Sequence, residues 1–293
     1  MIGALKGFYS RWSVGSLLSS NTKLDKVPGS EQRYLVRGLS LAPHMQAGKN
    51  VCPWAGACVA ACVLWFAGRT VMRNVRDAMI ARTRWFHGDR DTFLIALIEE
   101  VRALVRAADR AGAVPVVRLN VASDVVWERV APVLFTMFPG VRWYDYTKAP
   151  FRSRPTLPAN YTLVHSFHER TTLADVSAAL AAGRNVAVVF DTHYNPRAKS
   201  GRYGALPGVV HFVDGSGACV SARVVDGDAH DVRLPELDGQ AVVIGLRGKG
   251  GRARVEEAAL AGFVQRGGRR VADRADGLPF VADLVSVTVS CAG

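Results

Sequence analysis

Hydrophobic positions in this chain fall into short continuous runs separated by longer stretches with helical spacing. The run 114–120, Val-Pro-Val-Val-Arg-Leu-Asn, is apolar on both faces and predicts a buried strand. Similar runs predict strands at 141–146, 161–166 and 185–191, with a shorter one at 38–42. Between them, Phe93, Leu94, Leu97, Ile98, Val101, Leu104 and Val105 recur three and four apart, which predicts an amphipathic helix capped by Asp89 and ending near Gly112. Helices are also predicted over 130–138 and 173–182. After Asp191 the pattern shortens into strands at 211–213, 222–225 and 241–246, a last helix over 255–265 and an alternating segment at 284–289.

Doubly apolar strands alternating with helices are the pattern of a parallel sheet covered by helices. The expected fold class is α/β, as a complete or partial (β/α) barrel with an N-terminal cysteine-cluster segment, ahead of an open doubly wound sheet. The whole chain, 1–293, reads as a single domain with an irregular N-terminal segment, 1–37, and a C-terminal extension, 266–293.

The strands of this series end in polar residues: Asn120, Ser123 and Asp124 after the first, Asp145 and Lys148 after the second, Ser166 and Glu169 after the third. In parallel α/β folds the carboxyl ends of the strands face the site, so these groups are expected to converge on one crevice. There Asp124 or Glu169 is expected to move protons and Lys148 to hold a carboxylate or phosphate, with Asn120, Ser123, Asp145 and Ser166 contacting a cofactor. Singly, each is also an ordinary cap or turn residue. Downstream, Asp226 and Asp228 with Asp231 can hold a hard cation or ribose hydroxyls, against the competing reading of a solvated hairpin turn.

With 293 residues and 49% hydrophobic content the chain can bury a sizeable core. Its formal net charge of +12 points to nucleic acid or an anionic nucleotide as partner, and Arg69, Arg73 and Arg76 recur at helical spacing suited to phosphates. The longest apolar stretch, 55–67, is too short to span a bilayer core of about 30 Å, so no membrane partner is expected. No signal peptide is read at the start, and a cytoplasmic location is expected.

Three of the five cysteines, Cys52, Cys58 and Cys62, lie within eleven residues. Cys58 and Cys62 share a face if the Ala-rich stretch is helical, and Cys52 precedes them in a Pro/Gly loop free to fold back. Three convergent thiolates can hold three irons of a 4Fe-4S cluster with the fourth iron open, or zinc if water or a His, with His44 nearest in sequence, completes the tetrahedron. The open-iron arrangement resembles radical S-adenosylmethionine enzymes in kind, although the usual spacing is three residues then two, and here it is five then three. The competing reading makes these cysteines small buried hydrophobes.

Asn21-Thr22-Lys23-Leu24, Leu39-Ser40-Leu41-Ala42-Pro43-His44, Asn50-Val51-Cys52-Pro53, the Cys58/Cys62 pair with Gly68-Arg69, Arg82-Thr83, Arg118-Leu119-Asn120, Ser123-Asp124, Trp127-Glu128, Tyr144 to Lys148 and Asp226-Gly227-Asp228 together resemble the phage "gene product eighty-eight" family over about 20–265. The chain departs from that pattern in having Val121-Ala122 where Gly-Thr is usual, and in an insertion-like segment at 208–222. The resemblance implies a phage or prophage setting inside a host cell. Two functions are then expected in competition. One is a radical-SAM-like iron–sulfur enzyme, with S-adenosylmethionine as a cofactor, acting on a nucleotide or nucleic-acid-related substrate. The other is a zinc-stabilised, basic nucleic-acid-binding protein without catalysis.

Overall fold

The computed structural model describes residues 2–20, 32–60, 62–66, 68–192, 205–249, 252–265 and 280–282. Its strands are β1 (Leu18–Ser19), β2 (Tyr34–Leu39), β3 (Val114–Arg118), β4 (Arg142–Thr147), β5 (Tyr161–Ser166), β6 (Val186–Phe190), β7 (Val209–Val213), β8 (Cys219–Asp226), β9 (Val243–Arg247), β10 (Val264–Gln265) and β11 (Phe280–Ala282). Its helices are α1 (Ile2–Arg11), α2 (Val63–Phe66), α3 (Arg73–Gly88), α4 (Arg90–Ala111), α5 (Trp127–Val130), α6 (Val133–Met137), α7 (Leu173–Ala181), α8 (Pro235–Asp238) and α9 (Arg252–Leu260).

The strands form one mostly parallel sheet in the order β1-β2-β3-β4-β5-β6-β9-β8-β7-β11. From β2 to β6 the strands follow chain order, each parallel to the next. Among the described residues the sheet does not close, so a complete barrel is not what forms. The antiparallel pairing of β1 with β2 occupies one flank, and the antiparallel β7–β8 hairpin with β11 occupies the other. The insertion-like 208–222 segment supplies most of that hairpin.

Helix α4 forms as its sequence dictates. The Asp89 side chain accepts from the Thr92 amide at 3.3 Å at its start, and Gly112 ends it at φ 58°, a conformation glycine adopts without strain. Its buried stripe, Phe93, Ala96, Leu97, Val101 and Leu104, packs with Val117, Leu119, Trp143 and Leu163 of the sheet. Each fully buried large apolar side chain there contributes ~1.5–3 kcal/mol.

Residues 2–11, expected as irregular, are the helix α1. Tyr9 explains its placement: the ring packs edge-on against Trp85 with centroids 5.3 Å apart, and the hydroxyl donates to Glu100 of α4. The same Glu100 carboxylate accepts from the amides of Leu17 and Leu18 at 2.7 Å each, which sets β1 against β2. No short-range pattern announces this, because Glu100 lies more than eighty residues away.

The opposite face of the sheet carries Val36, Val116 and Tyr144, covered by Val232 and Leu234 from the segment that follows β8. Buried Arg233 fixes this plug, donating to Tyr146 Oη and Asp238 Oδ1 at 2.7 Å each and to the Gly227 carbonyl at 2.7 Å. No helix among the described residues is long and apolar enough to cross a membrane.

At its centre the sheet splits. β5 pairs with β6 only at His165–Val186 and Ser166–Ala187, and beyond that point β10 lies beside β6, with Val264 opposite Val189 and Gln265 opposite Phe190. The carboxyl ends of β5 and β6 thus part, and Phe263, just before β10, lines a cavity together with Lys148 and Ser166.

Candidate active site at the cysteine segment

The chain leaves β2 and folds back over the carboxyl ends of β3 to β5. Asn50 Oδ1 accepts from the Cys52 amide at 2.8 Å, a local turn, and the Val51 carbonyl accepts from the Asp124 amide at 2.8 Å, which lashes the segment to the loop after β3. Two residues after β5 do the same from the far side. Glu169 Oε1 accepts from the Ala57 amide at 3.0 Å, and Arg170 Nη2 donates to the carbonyls of Trp54 and Ala55 at 2.8 and 3.1 Å. Pinned this way, the Ala-rich stretch is not the single helix its spacing suggests. It is a 3-10 turn at Ala57–Val59, followed by α2 from Val63.

Cys52, Cys58 and Cys62 nevertheless line one cavity of about 210 Å³. Its floor is built from the strand ends: Arg118, Asn120, Ser123, Asp124, Lys148 and Ser166 all contribute, and Trp65, Phe66 and Phe263 supply an aromatic wall. The three cysteines are free, whereas Cys219 on β8 is disulfide-bonded. Cys52 Sγ accepts from the His44 amide at 3.2 Å and faces the Ala122 carbonyl at 3.6 Å. Burial pushes the Cys52 thiol up to about 11, with the His44 amide pulling it back and Asp124 adding to the rise. Burial also raises the Cys62 thiol. Both therefore hold their protons at neutral pH. Among the described residues, no group of three or more His, Cys, Asp or Glu side chains is arranged to hold a metal ion. By donor type alone, three soft sulfurs lining one cavity suit iron–sulfur or zinc chemistry.

The strand-end residues divide into those with free chemistry and those already engaged. Asn120 lines the cavity, but its Oδ1 accepts from Ser123 Oγ, the Val125 amide and Trp127 Nε1 at 2.8, 2.9 and 3.1 Å, so it organises the loop after β3. Asp145 points to the helix-covered face, where it accepts from the Asn120 amide at 2.6 Å and Tyr161 Oη at 2.9 Å. Fully buried, it is pushed up to about 7 by desolvation, against the pull of the Asn120 amide and Arg118. It does not line the cavity, and neither does Glu169, whose carboxylate positions the cysteine segment.

Asp124 is the one carboxylate among the described lining residues. Its Oδ2 accepts from the Lys148 amide at 2.8 Å, Oδ1 has no hydrogen bond but pairs with buried Arg154 Nη1 at 3.8 Å, and burial raises its pKa. The Lys148 ammonium has no carboxylate partner among the described residues and lies 5.2 Å from the centroid of the Phe263 ring. Ser166 completes the set.

The downstream carboxylates are spent elsewhere. Arg247 Nη1 pairs with Asp226 at 2.8 Å and with Asp228 at 3.2 Å, and Lys249 also pairs with Asp228. Asp231 accepts from Arg118 Nη1 at 2.8 Å and from the Tyr144 hydroxyl at 3.3 Å. Asp226 and Asp228, expected as cofactor ligands, line neither cavity and instead fasten the turn after β8 to β9. Of the arginine series, Arg69 lies in a 3-10 turn rather than on α3, and Arg76 is used internally, donating to the Trp65 carbonyl at 3.0 Å with its guanidinium 5.1 Å from the Trp65 ring centroid.

A second cavity of about 160 Å³ shares Thr147, Lys148 and Ser166 with the first and continues past them between β5 and α7. His165, His168, Arg170 and Thr171 line it together with Trp54 and Phe167. The sequence names Arg118 only as part of a strand ending and assigns no role to Arg170 or Phe263; the Glu169-Arg170 pair shortly after β5 is the signal available for Arg170.

A family model described as Gene product 88 matches residues 15–267, from before β1 through β10. No curated protein and no solved structure matches the chain.

Proposed function

The chain belongs to the Gene product 88 family, and on that premise we propose that it is a phage-type iron–sulfur enzyme of radical-SAM-like character. The observation that carries the proposal is the presence of Cys52, Cys58 and Cys62 on the wall of one cavity floored by strand ends. These three thiols would be the protein ligands of such a cluster. The sequential parallel run from β2 to β6 is also the strand order of a partial barrel. When bound, a 4Fe-4S cluster with one open iron supplies one-electron reduction of a sulfonium cofactor such as S-adenosylmethionine.

The chain's own residues do the rest. Glu169 and Arg170 hold the cysteine segment over the cavity. Asp124, with one carboxyl oxygen free of hydrogen bonds though 3.8 Å from Arg154 Nη1, and with its pKa raised by burial, holds or delivers a proton on the cavity floor. Lys148 supplies a positive charge for an anionic substrate, and Trp65, Phe66 and Phe263 offer a flat apolar wall for a base. These features and the +12 net charge support a nucleotide or nucleic-acid-related substrate. The test is anaerobic reconstitution with iron and sulfide, followed by reductant-dependent cleavage of S-adenosylmethionine. A reconstituted protein that binds iron but never cleaves the sulfonium contradicts the enzymatic half of the proposal.

A second reading has one observation in its favour: His44 lines the same cavity, and its amide bonds to Cys52 Sγ. In that reading the three thiols and His44 hold a structural zinc in a nucleic-acid-binding protein. Stoichiometric zinc in a colourless protein would select it.

A further inference from the structure

The lining of the second cavity sets two cations, Lys148 and Arg170, against one carboxylate, Asp175. Lys148 stands in the wall common to both cavities without a carboxylate partner among the described residues. Arg170 spends its hydrogen bonds on two carbonyls, which leave its charge uncancelled, and its only carboxylate neighbour, Glu169, is 4.0 Å away. Asp175 is the one carboxylate among the described lining residues; it accepts from the Phe151 amide at 3.1 Å and the Thr172 hydroxyl at 2.7 Å, and its charge offsets one of the two cations, leaving the lining with a net positive balance.

Two buried histidines line the cavity, and burial is the main cause that lowers both; of the lining cations Lys148 adds to this at His168, whereas the arginines acting on His165 lie outside the lining. His168 is lowered to about 4 by burial and then by Lys148, and His165 to about 4 by burial and then by Arg184 and Arg154. Donors without a partner face the same space. Thr171 Oγ1 accepts from the His168 amide at 2.9 Å and keeps its own proton to give, and the Ser166 hydroxyl lies at the junction of the two cavities. The first turn of α7 contributes Asp175 and Val176 to this wall.

We propose that the second cavity is an anion subsite that takes a phosphate group of the substrate, held by Lys148, Thr171 and Ser166, while the rest of the substrate lies across Lys148 in the cysteine-lined cavity. The second half of this statement rests on the reading of the first cavity as the reaction chamber; the anion subsite does not.

The test uses the full chain without metal. Inorganic phosphate is titrated while the ring resonances of His165 and His168 are followed by NMR, with affinity measured by calorimetry. Saturable shifts of both histidines are expected, and loss of a charge-assisted contact in Lys148→Gln is expected to weaken phosphate binding about tenfold or more. Thr171→Val is expected to weaken it in the same direction while leaving Lys148 in place, which keeps the test valid if the lysine variant folds poorly. Phosphate that moves neither histidine, or that binds both variants as well as the parent, overturns the subsite. A nucleoside monophosphate is expected to bind more tightly than either inorganic phosphate or the matching nucleoside. If it binds no more tightly than phosphate alone, the subsite stands and its continuity with the first cavity is overturned.

Discussion

Glu169 Oε1 accepts the backbone N–H of Ala57 at 3.0 Å, so a carboxylate just after β5 fixes the middle of the cysteine segment. The contact leaves no room for a side chain next door: a Cβ on Gly56 would sit 1.8 Å from that same oxygen. Gly56→Ala is therefore expected to destabilise the fold by about 1–3 kcal/mol in urea denaturation. In a Glu169→Ala background the clashing oxygen is gone, and the penalty of Gly56→Ala should shrink. Equal penalties in both backgrounds would mean that the two residues are uncoupled.

Asp145 sets a pH dependence with a defined sign. Its folded pKa, about 7, is raised above the ordinary carboxylate value, so the stability it contributes is fully present below about pH 4 and is lost as pH rises toward about 7. The slope is on the order of 1.4 kcal/mol per pH unit at most. Asp145→Asn keeps an acceptor for the Asn120 amide and cannot ionise. The stability difference between variant and parent should therefore move in the variant's favour across pH 4 to 7 and level off above. A flat difference curve would show that Asp145 is ionised throughout.

His165 and His168 act in the opposite direction. Both are lowered to about 4, so their contribution is present above about pH 6.5 and is lost as pH falls toward about 4. His168 Nδ1 accepts from the Arg170 amide at 3.3 Å, an acceptance that protonation removes. Direct NMR titration of the two rings should find both neutral at pH 6, and a ring that is half protonated there would contradict the assignment.

The plug behind the sheet predicts an asymmetric mutational response. Asp238→Ala leaves buried Arg233 without its carboxylate, at a cost of about 3–5 kcal/mol. Arg233→Met combined with Asp238→Leu removes both charges and should cost less than the single substitution. Chemical denaturation distinguishes the two outcomes.

What the sequence revealed, and what it hid, follows the range of the interactions involved. The stretch Asp89 to Gly112 carries its cap, stripe and stop within its own sequence, and α4 forms between them. β5 runs Tyr161–Ser166 as its apolar run predicts, since a strand buried in mid-sheet needs no distant instruction. The four-residue spacing of Cys58 and Cys62 predicts a helix, yet Glu169 and Arg170 impose a 3-10 turn from over a hundred residues away. Asp226 and Asp228 look available in sequence because Arg247 and Lys249 reach them only once β8 lies beside β9. Phe263 reads as the end of a helix, whereas β10 begins immediately after it and carries its ring to the cavity. The segment 284–289 lies outside the described residues.

The claim on which the functional account depends is that Cys52, Cys58 and Cys62 together grip one inorganic centre at the mouth of the strand-end cavity. Iron and sulfide analysis of the anaerobically reconstituted protein, with visible absorption, tests it most directly. The account predicts a brown protein carrying one 4Fe-4S cluster per chain, lost when any one of the three is changed by Cys→Ser. A colourless protein without iron, or a cluster that survives Cys58→Ser, would contradict it.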